Sequence, residues 1–76
     1  MDKILELREQ RAKKWDAAKA FLDTKRGSDG LLAAEDAATY EKMEDEVVNL
    51  GKEVERLERQ AVLDAELAKP TADPLT

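Results

Sequence analysis

The sequence predicts an all-α chain: a two-helix hairpin with a longer second helix, coiled-coil-like and self-associating. Three observations predict it. Charged residues make up 41 % of the chain and aromatic residues 4 %, which suits solvated helices with a narrow apolar stripe better than a broad globular core. Gly27-Ser28-Asp29-Gly30 is a turn by composition and divides two helical stretches. The second stretch carries an unbroken heptad row, Tyr40, Met43, Val47, Leu50, Val54, Leu57 and Ala61, spaced 3-4-3-4-3-4.

The first helix is expected from about residue 2 to residue 26. Asp2 can cap its start. Lys25 and Arg26 suit the negative end of the helix dipole, and Gly27 is expected to take the left-handed position after the last turn. The apolar stripe reads Ile4, Leu7, Trp15, Ala18 and Leu22, flanked by Leu5 and Ala12. Arg8, Arg11 and Lys19 fall in or beside that stripe, so the face is mixed and uses long aliphatic stems.

Residues 27–33 form the turn, and Leu31 or Leu32 is expected to staple it to a helix face. The second helix is expected over residues 34–69. Glu35 and Asp36 sit where the first turn favours negative charge, but Ala33 offers no capping side chain. Pro70 cannot continue the helix, and residues 70–76 read as an extended linker.

The heptad row has Val at two a positions, each followed by Leu at d, and it stops at Asp64. Gly51 interrupts this helix beside the seam. It reads either as a tolerated defect of about 1 kcal/mol or as a place of close helix approach or bending. Helix lengths of about 36 and 52 Å imply an overhang of the second helix. That overhang is expected to leave Val54, Leu57 and Ala61 needing cover. A chain of 76 residues buries too little surface to be comfortably stable alone, so other copies of itself are the expected remedy. The expected interface residues are Ile4, Leu7, Trp15, Leu22, Tyr40, Met43, Val47, Leu50, Val54, Leu57 and Ala61.

Composition also narrows the function classes. The chain has neither Cys nor His, which removes disulfides, thiolate and imidazole chemistry, and the usual ligands of structural zinc. The carboxylate clusters Glu44-Asp45-Glu46 and Glu53/Glu55/Glu58 read as solvated helix faces, because no core is present to desolvate them. A calcium loop starting at Asp23 fails at its third, fifth and twelfth positions, which are Lys25, Gly27 and Ala34. Gly27 and Gly30 stand apart from any strand, so they do not make a phosphate loop. We therefore expect no enzyme activity, no catalytic or metal-binding residue and no cofactor.

No apolar run approaches the roughly 18 residues of a membrane span. The N-terminal segment turns acidic too early for a signal peptide. A cytosolic chain without membrane partners is expected. Net charge is −5, but it is unevenly placed. Residues 1–26 carry eight Lys/Arg against five Asp/Glu, and residues 27–76 carry five against thirteen. The two segments attract each other within or between chains. The basic residues of the first helix are spread around it in an acidic chain, so direct nucleic-acid binding is not expected. Trp15 reads as a packing anchor.

Several of these stretches, taken in order, carry a resemblance. They are the start Met1 to Ala12 (MDKILELREQRA), then Asp16-Ala17-Ala18-Lys19-Ala20, then Ala34-Glu35-Asp36-Ala37 followed by Tyr40. Glu55-Arg56-Leu57-Glu58-Arg59-Gln60 and the exit Ala68-Lys69-Pro70 complete the set. Nearly the whole chain resembles the N-terminal scaffolding segment, or delta domain, of tailed-phage major capsid proteins of the Hong Kong phage type. Ala33 departs from that pattern, where Ser or Thr is expected. The resemblance implies an internal scaffold that lies beneath the capsomers and guides procapsid assembly through helical subunit contacts. Its implied partners are capsid protein subunits and a prohead protease that removes the segment on maturation. It implies a place inside the phage procapsid, in the bacterial host cytoplasm, and a capsid domain after Thr76. A free-standing coiled-coil adaptor or regulatory interaction protein is the alternative.

Overall fold

The computed structural model describes residues 2–68. Helix α1 runs Lys3–Lys25 and helix α2 runs Ala34–Leu67. Asp2 caps α1: its backbone is extended (φ −78°, ψ 117°), and its carboxylate accepts the Ile4 N–H at 3.1 Å. At the other end Arg26 turns extended (ψ 134°) while its N–H still donates to the Leu22 carbonyl. Helix α2 starts from an extended Ala33 with no side-chain cap, and Glu35 and Asp36 oppose the positive end of its dipole instead. Ala68 closes α2 by donating to the Asp64 carbonyl at 3.0 Å. The expected linker of residues 70–76 lies outside the described residues.

The connection differs in detail from expectation. Gly30, not Gly27, holds the left-handed conformation (φ 79°). The reason is that α1 ends by straightening at Arg26, so no left-handed cap is required at residue 27. The chain then closes a small loop in which Gly27 N–H donates to the Leu31 carbonyl at 2.9 Å and Gly30 N–H to the Gly27 carbonyl at 2.9 Å. Asp29 accepts from the Leu31 N–H, and the Arg26 guanidinium reaches the Gly30 carbonyl at 2.7 Å. Leu32 is half-buried and anchors the loop, whereas Leu31 points to solvent.

The helices pack antiparallel. Arg8 meets Glu58, and Lys14 meets Glu46, so partner numbers fall along α2 as they rise along α1. Leu7, Ala18, Val47 and Val54 are the buried apolar residues. Ile4, Phe21 and Leu22 on α1, and Tyr40, Met43, Leu50 and Leu57 on α2, are half-buried around them. The heptad seam of α2 is therefore turned against α1 of the same chain.

The row of α1 that faces α2 follows the same spacing through Ile4, Leu7, Arg11, Lys14, Ala18 and Phe21, with Leu7 and Ala18 buried and Arg11 and Lys14 exposed. Two of its middle positions are cationic, which hides the row from a search for apolar residues alone. Phe21 belongs to this row although the apolar stripe read from sequence omits it. Trp15 stands at the margin, 39 % exposed.

The overhang of α2 does not include Val54 and Leu57, contrary to the expectation from sequence. Val54 is buried and Leu57 half-buried, because the first turns of α1 reach them. The uncovered end begins at Ala61, which is exposed, and continues through Val62, Leu63 and Leu67. The contacts Arg11–Val47 and Lys14–Glu46 pair residues equally far from the connection, so the two helices leave it nearly flush. The result is a rod of 68 × 22 × 15 Å.

Candidate interaction surface

The middle of the hairpin is held by Arg11 and Gly51. Arg11 stands on the row of α1 that faces α2 and is exposed overall, its long stem lying along the helix contact. Its side chain crosses to α2 and donates Nε–H to the Val47 carbonyl at 2.9 Å, in a part-buried position. The guanidinium rests over Gly51: a Cβ there would stand 2.6 Å from Arg11 Nη2 and 2.7 Å from its Cζ. Of the two readings of Gly51, close approach is the one that the structure supports. Glycine is buried there because an arginine lies across it.

Ion pairs flank this crossing. Arg8 pairs with Glu58 on one side and Lys14 Nζ stands 3.3 Å from Glu46 on the other. Both join the basic helix to the acidic one, and both are solvent-exposed, which limits each to about 0–1 kcal/mol. Lys19–Asp16 and Arg56–Glu53 are local pairs one turn apart. The carboxylate clusters are thus spent on a solvated surface, with Glu46, Glu53 and Glu58 each facing a cation. Near the loop, Tyr40 donates its hydroxyl to Glu44 at 3.2 Å. Desolvation of the ring hydroxyl, then the hydrogen bond and charge of Glu44, raise its pKa above the ordinary 10.0.

One flank of the hairpin is concave. A central hollow between the helices is lined by Arg8, Arg11, Val48, Gly51, Lys52 and Glu55, among others. It shares Arg8, Arg11 and Val48 with a second hollow walled by Ala12, Trp15 and Glu44. Glu55 and Glu58 connect it to a third, which ends on Arg59, Val62 and Leu63. The three make one shallow groove from Glu44 to Leu63, about 28 Å long at 1.5 Å per residue. Trp15, Val48, Val62 and Leu63 are large apolar residues that remain exposed, and all four line it.

The expected interface residues divide accordingly. Ile4, Leu7, Leu22, Tyr40, Met43, Val47, Leu50, Val54 and Leu57 face the opposite helix of the same chain. Trp15 borders the groove, and Ala61 is exposed. Val48, Val62 and Leu63 were outside the apolar seam read from sequence, since they stand on a different helical row. Among the described residues, no group of three His, Cys, Asp or Glu is placed to hold a metal ion, and no helix is long and apolar enough to cross a membrane. No known protein family, curated protein or solved structure matches the chain.

Proposed function

We propose that the chain is the scaffolding segment of a tailed-phage major capsid protein, a structural module and not an enzyme. In this reading it precedes a capsid domain and lies inside the procapsid in the bacterial host cytoplasm. It brings capsid subunits together through helical contacts with other copies, and a prohead protease removes it on maturation. The observation that carries the reading is the thin hairpin whose own seam is closed while an apolar, mixed-charge flank stays open. Such a body presents a limited surface. Limited surface gives weak, reversible contacts, and a scaffold needs these so that misplaced subunits can leave. The ordered stretches that resemble the delta domain supply the phage context.

The test is assembly of the complete capsid protein encoded with this segment, with and without residues 2–68, examined by electron microscopy. Closed shells of uniform size are expected only when the segment is present. Uniform shells in its absence overturn the reading. A coding sequence that continues into no capsid domain would favour the adaptor alternative.

A further inference from the structure

The heptad seam would be the natural contact for a second copy, yet it is occupied within the chain. The groove on the flank is what remains. Its lining is of mixed charge: Arg8, Arg11, Lys52 and Arg59 against Glu44, Glu55 and Glu58. Arg8 and Glu58 pair with each other. Lys52, Glu55 and Arg59 have no ion-pair partner among the described residues. They form one row with Val48 and Val62, reading Val48, Lys52, Glu55, Arg59, Val62 at alternate spacings of four and three. A helix face with that spacing is continuous along one side.

This row runs from an apolar end through cation, anion and cation to a second apolar end. A polyanion needs a cationic excess, and a basic partner needs an acidic one. The row has an excess of one positive charge, with Glu55 between its two cations, which is too little for the first and of the wrong sign for the second. Turned end for end, however, its centre is complementary to itself. An antiparallel pair centred between residues 52 and 55 places each Lys52 across from the other copy's Glu55. It also lays the aliphatic stem of each Arg59 across from Val48 of the other copy, with Val62 within one helical turn of that Val48 and Leu63 just beyond it. Val48 lines the hollow walled by Ala12 and Trp15, which is mostly apolar. The exposed end of α2 is thereby covered. An isologous contact of this kind closes with two copies.

We propose that this groove is the contact between two copies of the chain, paired antiparallel along α2 into a four-helix unit. The proposal rests on the scaffolding reading only in taking self-association as the chain's task. It names the surface that performs it.

Sedimentation of the chain across a range of concentrations tests it, with far-ultraviolet circular dichroism to follow folding. The wild type should show a monomer–dimer equilibrium. V62E/L63E should be monomeric with helicity unchanged, because both residues lie beyond the reach of α1. K52E and E55K should each weaken the dimer by about tenfold. Combining K52E and E55K in one chain should restore it, since both reciprocal pairs are then reversed together. K13E, on the outer side of α1, should have no effect. A wild type that stays monomeric throughout overturns the proposal. So does a dimer that V62E/L63E and K52E leave intact, and that result would keep the scaffolding reading while moving the contact elsewhere. Shells that close without residues 2–68, beside a dimer that responds to the groove variants, would sink the scaffolding reading and keep the groove.

Discussion

Gly51 and Arg11 act as one unit across the hairpin. Replacing Gly51 by Ala improves helix propensity by about 1 kcal/mol. It also forces the Arg11 guanidinium away and forfeits its bond to the Val47 carbonyl, worth about 1–2 kcal/mol. G51A alone should therefore change stability little. In an R11M background the obstruction is gone, and G51A should stabilise by about 1 kcal/mol. Urea unfolding of the four chains measures the coupling, and simple additivity would mean that the two residues do not touch in solution. Tyr40 gives a second residue-level check, because it is the chain's single tyrosine. Its hydroxyl should titrate above 10.0 by tyrosinate absorbance, and E44Q should lower the midpoint. Since the folded pKa is raised, this contribution to stability is complete below the unfolded pKa and is lost as pH climbs through the folded one. Gly51 was visible in the sequence as an interruption, but its meaning was not. The residue that explains it stands forty positions away.

The two helices are capped unequally, and the difference is open to measurement. Asp2 satisfies an orphan N–H of α1, whereas Ala33 leaves the start of α2 without a side-chain acceptor. D2A should cost about 1 kcal/mol and A33D should add a similar amount. For a domain of this size that corresponds to shifts of about 4–8 °C in melting temperature, in opposite directions. An A33D chain that melts no higher would show that the first turn of α2 is frayed regardless of its cap. Both helices were legible almost to their ends, since their starts and stops depend on neighbours within a few residues. The row buried in α1 was legible only in part. Arg11 and Lys14 fill apolar positions with stems that pack and heads that reach across, and that role requires a facing helix.

At the scale of the molecule, the chain has a radius of gyration of 19.7 Å, against about 11 Å for a compact domain of the same length. Two helices have one shared face, so among the described residues each helix is the other's source of burial. Removing one contact should then unfold both. V54D puts a carboxylate into the most buried part of the α2 seam, at a cost of several kcal/mol without a partner. Helicity should fall in α1 and α2 together, read by amide hydrogen exchange along the chain. Retained protection in α2 alone would show that the longer helix stands without its mate. This dependence is also the physical reason that a second copy is valuable: it adds the missing layer.

The sequence by itself determined that the chain is all-α, where its turn lies, and which row of α2 seeks burial. Those features follow from spacing and from local backbone chemistry, which act over a few residues. The tertiary structure decided what that row is buried against, how far α2 extends past its mate, and why residue 51 is glycine. Once the seam closes on α1, the surface left for another molecule is the flank of Trp15, Val48, Val62 and Leu63, which becomes a single groove only when the two helices lie side by side.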